Sequence, residues 1–182
     1  MIFFVIVILF FYIKGIYAEV EYKKSSQDGQ QYLVRKMSNS QEAANYLADI
    51  ASKLESLTTH YLAKYPDKPE AKRLFENFNK KNISESSPDS GYTSYSVNKG
   101  ERIVLCIRQK DTNAFVDKNV IMYVAIHELA HLGTESIGHE PEFWTFFKDI
   151  LNEAVEQGLY NKVDYSKENK DYCGIKITHS VI

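Results

Sequence analysis

The stretch Val120–His131, VIMYVAIHELAH, indicates both the fold and the chemistry of this chain. Its first seven residues are apolar, and on a helical wheel they surround the axis instead of forming a stripe. A helix that is apolar on every side belongs in the interior of a domain. Asp117 lies three residues earlier and has the side chain of a preferred N-cap. We therefore predict a buried helix that begins directly after Asp117.

Within this helix, His127, Glu128 and His131 form an H-E-x-x-H motif. The two histidines are four residues apart, so they project from one face, one turn apart. An unpaired buried polar group costs ~1–3 kcal/mol, and one metal ion would satisfy both imidazoles. In zinc peptidases such histidines bind Zn²⁺, and the glutamate accepts a proton from an activated water. We therefore predict His127 and His131 as zinc ligands and Glu128 as the catalytic base.

A catalytic zinc site needs a third protein ligand. His139 is the preferred candidate, because Gly133 can end the helix in a left-handed conformation and Gly138 lets the chain turn back toward the metal. The main alternative is Glu153, which falls at the edge of the apolar face of the next predicted helix. Glu135 is a weaker third option, and these alternatives stay open at this point.

The motif at 127–131, His139 and the run Glu142-Phe143-Trp144 together resemble the WLM and SprT-like metallopeptidases. The resemblance extends from about Val120 to Tyr160. It implies a zincin-like domain in which two helical histidines and a later histidine hold zinc, and in which peptide bonds of a protein or peptide substrate are hydrolysed. The spacing of the third histidine differs from the metzincin pattern.

A narrower resemblance is to short metallopeptidase-like proteins of large DNA viruses. It is carried by Tyr172-Cys173-Gly174 after the zinc region. By resemblance to zincins, the strand Glu101–Arg108, which precedes the zinc helix, is the candidate edge strand that pairs with extended substrate.

Periodicity and turn residues predict an α+β fold with a small, mostly antiparallel sheet, a buried zinc-binding helix and a backing helix. Ser40 is a plausible N-cap for a long helix, and the serine-rich stretch 83–91 is predicted to be an exposed loop. The predicted helices are 41–64, 69–79, the zinc helix and a helix from Pro141 to Gly158, and the predicted strands are 31–36, 92–97, 101–108 and 175–178. Strands 92–97 and 101–108 are predicted to form a hairpin around the turn Asn98-Lys99-Gly100.

The length of 182 residues predicts one domain. The formal net charge is −2, and no cluster of basic residues stands out. Because nucleic-acid binding depends on lysine and arginine contacts to phosphates, nucleic acid is an unexpected partner.

The first 18 residues differ from the rest, because residues 1–13 are apolar without interruption. We interpret 1–18 as a signal peptide cleaved after Ala18 or as a short retained membrane anchor, and 19–182 as the zincin-like domain. Both readings put the protein in the secretory pathway or on a membrane, that of a host or a virion. A membrane-tethered zinc-binding protein without peptidase activity is therefore the alternative function.

Two further assignments stay open. Cys106 and Cys173 are interpreted as thiols, with a disulfide as the alternative in an oxidising compartment. Tyr160, Tyr172 and His179 are the candidate hydrogen-bond donors to the oxyanion that forms during peptide hydrolysis.

Overall fold

The computed structural model describes residues 19–182. The predicted signal peptide or anchor at 1–18 lies outside these residues, and its prediction stays untested. Within the described part of the chain, no helix has the length and hydropathy that a membrane span requires.

Groups of short strands and pairs of helices follow one another along the chain, in agreement with the predicted α+β fold. The hairpin β1–β2 precedes two helices, a central group of strands precedes the next two helices, and a second hairpin ends the chain. The elements are β1 (Val20–Lys24), β2 (Gln31–Arg35), α1 (Ser40–Lys64), α2 (Pro69–Asn77), β3 (Ile83–Glu85), β4 (Tyr95–Val97), β5 (Arg102–Leu105), α3 (Lys118–Gly133), α4 (Pro141–Glu156), β6 (Lys170–Tyr172) and β7 (Ile175–Ile177).

The strands form three small sheets that are antiparallel except for one pair. β1 pairs with β2 and β6 with β7, both antiparallel. The central sheet has the order β3-β5-β4, in which β4 is antiparallel and β3 parallel to β5. β4 and β5 thus form the predicted hairpin around Asn98-Lys99-Gly100, three residues that all have positive φ.

The sheet order corrects the prediction that Glu101–Arg108 is the substrate-pairing edge strand. β5, the strand in that segment, lies between β3 and β4, so both of its edges are already hydrogen-bonded. β4 is the edge strand on the side of the zinc motif, because it is the strand of this sheet that packs against α3.

The prediction of an exposed loop at 83–91 is wrong at its start, where β3 is buried. Glu85 accepts a hydrogen bond from the backbone amide of Arg35 at 2.8 Å and pairs with the guanidinium of Arg108. All three of these charged side chains are nearly inaccessible to solvent. A segment rich in serine can therefore be internal here, because paired charges satisfy its polar groups.

Helix α3 has the predicted start and burial. The Asp117 carboxylate accepts hydrogen bonds from the backbone amides of Asn119 and Val120 at 2.9 and 3.2 Å. Eleven of the 16 residues of α3 are buried. The helix packs against α1, α2, α4 and β4, which explains why its apolar residues surround the axis.

Gly133 ends α3 for a different reason from the predicted one. The following residue, Thr134, is extended with φ −86°, so no left-handed turn closes the helix. A Cβ on Gly133 would lie 2.2 Å from a ring carbon of Phe146, so glycine is needed there for the close approach of α4 to α3. The left-handed turn occurs at Gly138, with φ +84°.

The thiol interpretation of the cysteines is corrected as well. Cys106 and Cys173 form a disulfide with their Cα atoms 6.4 Å apart. The bond connects the end of β5 to the turn between β6 and β7, two places whose proximity the sequence does not reveal.

Candidate metal centre

Three imidazoles converge where α3 meets the loop before α4. His127 and His131 lie on α3 and His139 on the loop, and one potential ligand atom from each lies within 4.8 Å of the others. The Nε2 atoms of His127 and His139 are 3.0 Å apart. Two nitrogens bound to a tetrahedral zinc ion at 2.0–2.1 Å are about 3.3–3.4 Å apart. The three imidazoles therefore fit a tetrahedral zinc ion if the distance between the His127 and His139 nitrogens widens slightly.

Burial keeps two of these imidazoles neutral. It lowers the pKa of His127 to about 3 and that of His131 to about 4, with the neighbouring histidines adding to the effect. Both rings are therefore unprotonated at neutral pH, and each has a lone pair available for a metal.

Aromatic side chains from the start of α4 orient the rings. Phe143 stacks on His131 with the ring centroids 4.3 Å apart and the planes at 26°. Trp144 stacks on His139 at 5.4 Å and 27°. Phe143 is fully buried, whereas Trp144 is 44% exposed and covers the outer side of the site. The pair that carries the family resemblance thus contacts the candidate ligands directly.

Lys99, which was predicted only as part of a turn, joins the turn after β4 to the end of α3. Its ammonium donates hydrogen bonds to the backbone carbonyls of His131, Thr134 and Ser136 at 3.0, 2.7 and 2.8 Å. These carbonyls belong to the last turn of α3 and to the start of the loop toward His139. Lys99 therefore holds the segment that brings His139 back to the other two histidines.

Two more side chains hold the same loop. Arg73 of α2 donates from Nε to the Gly133 carbonyl and from a terminal nitrogen to Glu135, both at 2.7 Å. Glu142 accepts from the backbone amides of Glu135 and Ser136 at 2.9 and 3.0 Å. The side chain of Glu135 is thus engaged by Arg73 and is 77% exposed, away from a ligand position.

Glu128 is the buried carboxylate of the site. Burial raises its pKa to about 7, and hydrogen bonds from the hydroxyl and backbone amide of Ser96 act in the opposite direction. The residue lines an open cleft of about 600 Å³ together with all three histidines. The carboxylate therefore has access to the space in which a ligand of the metal would lie.

The opposite wall of this cleft is β4. Ser94, Tyr95 and Ser96 line it, and β4 is the edge strand described above. The sequence predicted a strand at 92–97, but both serines were missed as residues of the site. The alternation of Tyr95, Ser96 and Val97 was the available signal for a strand, but nothing in it indicated the proximity of Ser96 to Glu128.

Glu153, the main alternative ligand, lies elsewhere. It is buried, accepts a hydrogen bond from Lys64 at 2.8 Å and pairs with His60 at 3.1 Å. Both partners belong to α1, which packs against α4. The sequence placed Glu153 correctly at the edge of the apolar face, but this edge faces α1 instead of the histidines.

The three candidate oxyanion donors also lie in different parts of the structure. Tyr172 borders the site, where its hydroxyl lies 2.5 Å from Ser94 Oγ and near the Glu128 carboxylate. Tyr160 is buried in a cluster with Tyr123, and His179 is exposed, with Nδ1 at 2.8 Å from the Thr178 hydroxyl. Of the three, Tyr172 is the one that the structure brings to the candidate centre.

An α+β domain with three convergent histidines and a buried motif glutamate defines a metallopeptidase-like protein. Within that class, the WLM domain family matches residues 26–180, and the chain belongs to this family. WLM proteins are, as a family, metallopeptidases.

Relatives and a solved structure agree with this assignment. The uncharacterised protein R325 of Acanthamoeba polyphaga mimivirus is 33% identical over 98% of this chain and 92% of its own length. The uncharacterised protein 136R of Invertebrate iridescent virus 6 is 26% identical over 83% of this chain and 86% of its own. These relatives bear out the resemblance to proteins of large DNA viruses. A crystal structure of a Wss1 mutant from Saccharomyces cerevisiae has the same fold, with a TM-score of 0.52, 20% identity and coverage of 70% of this chain and 91% of its own.

Proposed function

We propose that this protein is a zinc-dependent peptidase that hydrolyses peptide bonds in a protein or peptide substrate. The observation that carries the proposal is the convergence of His127, His131 and His139 beside the buried carboxylate of Glu128, in a cleft open to solvent. Three imidazoles leave one position of a tetrahedral ion free, as in catalytic zinc sites.

Zinc bound there would supply Lewis acidity, which lowers the pKa of a coordinated water to ~7 and polarises a substrate carbonyl. In this proposal, Glu128 accepts the proton of the attacking water and later donates it to the leaving amine. Burial raises the pKa of Glu128 to about 7 in the metal-free protein, and a zinc ion beside it would lower this pKa and favour the carboxylate form that accepts the proton.

The residues around Glu128 have supporting roles in the proposed reaction. β4 is positioned to pair its free edge with an extended substrate along the cleft. The Tyr172 hydroxyl, held by Ser94, is the candidate donor to the oxyanion. The position of Glu128 favours a peptidase over a zinc-binding protein without activity, because the three histidines can hold a metal without a buried carboxylate beside them.

The test is the substitution Glu128→Gln, which keeps the size of the side chain and removes the base. We expect unchanged zinc content by elemental analysis and at least a 100-fold loss of chelator-sensitive casein cleavage, since general acid–base catalysis contributes ~10²–10⁴. Glu76→Gln, at an exposed position of α2, should behave like the parent protein. Equal cleavage by the Glu128→Gln variant would refute the assigned base.

A further inference from the structure

We propose that a second pocket, on the far side of Glu128 from His139, receives an apolar side chain of the substrate residue that adjoins the scissile bond. The inference rests on the proposed peptidase function and adds a determinant of its specificity. The pocket has a volume of about 210 Å³ and is called the hairpin pocket below, because β7 forms one of its walls.

The hairpin pocket adjoins the residues of the proposed reacting centre. His127, Glu128 and Ser94 line both this pocket and the larger cleft. On α3, the pocket extends one turn toward the N-terminus, to Tyr123 and Val124, whereas the cleft extends toward His131. A peptide that places its carbonyl beside Glu128 therefore has the hairpin pocket within reach of an adjacent side chain.

The walls of the hairpin pocket are mostly apolar, and Thr93 and Ser94 are its polar lining residues besides His127 and Glu128. Val124, Ile175 and Ile177 contribute aliphatic surface, and Tyr123 and Tyr172 contribute aromatic surface. The Tyr123 hydroxyl bonds the His179 carbonyl at 3.2 Å, and the Tyr172 hydroxyl bonds Ser94. The pocket therefore offers mainly hydrophobic contact to a substrate side chain.

Charge also limits what the pocket accepts. Its one acidic residue is Glu128, and it contains no lysine or arginine. A substrate aspartate or glutamate would be desolvated beside a carboxylate, so such residues are disfavoured.

Size points to a single side chain as the occupant. The volume equals that of about seven water molecules, and it is below the ~300–1,000 Å³ of sites that hold drug-sized ligands. A leucine or phenylalanine side chain fits within this space, and alanine would leave most of it empty.

The C-terminal hairpin is anchored, so this wall is a stable part of the site. The disulfide holds the turn between β6 and β7 to the end of β5, and Gln109 accepts a hydrogen bond from the Cys173 amide at 2.8 Å. Ile175 and Ile177 both line the pocket, whereas Lys176 between them lines only a neighbouring cavity with Asp111 and Asp171, which Ile175 also borders.

The first experiment measures cleavage of blocked octapeptides of alanine and serine that carry one leucine, phenylalanine or aspartate. We expect mass spectrometry to show that the cleaved bond changes position when the leucine is moved to another position in the peptide. Leucine should raise kcat/KM at least about 10-fold over alanine, and aspartate should lower it. A cut that is independent of the leucine position would overturn the proposal.

The variant Ile177→Lys adds a cation to the pocket and should reverse the preference from leucine to aspartate. Lys176→Glu is the matched control on the opposite face of the same strand and should keep the leucine preference. If Ile177→Lys does not fold, Ile175→Lys serves instead, because Ile175 is 51% exposed. An unchanged leucine preference in a folded pocket variant would contradict the proposal.

A second measurement does not depend on turnover. Binding of the leucine and alanine peptides to the Glu128→Gln variant is followed by calorimetry and by NMR shifts of the methyl groups of Val124, Ile175 and Ile177. We expect tighter binding and methyl shifts with the leucine peptide only. If this selectivity occurs while the parent cleaves no peptide, the pocket stands and the proposed function fails. If the parent cleaves peptides but the leucine peptide is not preferred, the proposed function stands and the pocket proposal fails. If neither cleavage nor this preference is observed, both proposals fail.

Discussion

At the scale of single residues, the candidate metal centre depends on His139, a side chain that lies outside the helices and strands. It lies eight positions after His131, on a loop, yet its ring nitrogen is 3.0 Å from that of His127. Stacking on Trp144 holds this ring, whereas His127 and His131 are held by the backbone of α3. Its position therefore depends on contacts made by several elements.

The third-ligand assignment predicts a contrast between two substitutions. His139→Ala should lower zinc occupancy sharply, because two protein ligands remain of the three that a catalytic site uses. Glu153→Gln should leave occupancy unchanged, since Glu153 pairs with Lys64 and His60. Zinc titration of both purified variants measures the difference. Full zinc occupancy in His139→Ala, or loss of zinc in Glu153→Gln, would instead favour Glu153 as the third ligand.

At the scale of elements, the end of α3 and the loop after it form the structure that completes the site. Lys99, Arg73 and Glu142 reach this segment from three different elements and together bond its carbonyls, its amides and one side chain. Such contacts orient a ligand without contacting the metal, and their loss typically lowers metal affinity 10–100-fold.

We therefore predict that Lys99→Met weakens zinc binding about 10-fold or more, because three carbonyls lose a charged donor. Competition with a chromogenic chelator gives the affinity. Lys80→Met is the matched control, since Lys80 pairs with Glu55 at the surface, and its zinc affinity should equal that of the parent. Parent-like affinity in Lys99→Met would show that the loop holds its position without this lysine.

At the scale of the whole molecule, the disulfide is the covalent link between the central sheet and the C-terminal hairpin. It spans 67 residues, a segment that includes α3, the loop and α4. Closing a long loop restricts the unfolded chain, and a native disulfide typically contributes about 2–4 kcal/mol.

Reduction with a dithiol should therefore lower the melting temperature of the protein by several degrees. The double variant Cys106→Ser/Cys173→Ser should melt near the reduced protein and should not respond to the reductant. Differential scanning calorimetry with and without dithiothreitol makes both comparisons. A melting temperature of the parent that is insensitive to complete reduction would argue against a stabilising bond.

Much of the molecule could be predicted from local patterns. The span and N-cap of α3, the long helix that ends at Lys64, the helix starts at Pro69 and Pro141, and the β4–β5 hairpin all follow from periodicity and end signals in neighbouring residues. The long helix itself begins at Ser40, one residue earlier than the N-cap assignment implied. The candidate ligands could be proposed for the same reason, because helical spacing places His127 and His131 on one face.

What the sequence by itself determined is the chemistry of the centre: a buried helix with two imidazoles and a carboxylate, and a histidine close behind it. Only the tertiary structure decided that β4 is the edge strand beside the centre, that Glu153 faces α1, that Lys99 holds the loop, and that Cys106 meets Cys173. The physical reason is the range of the interactions. Helix periodicity and capping act over a few neighbouring residues and can be read along the chain, whereas strand order, ion pairs and disulfides join residues that are distant in sequence and depend on how all the elements pack.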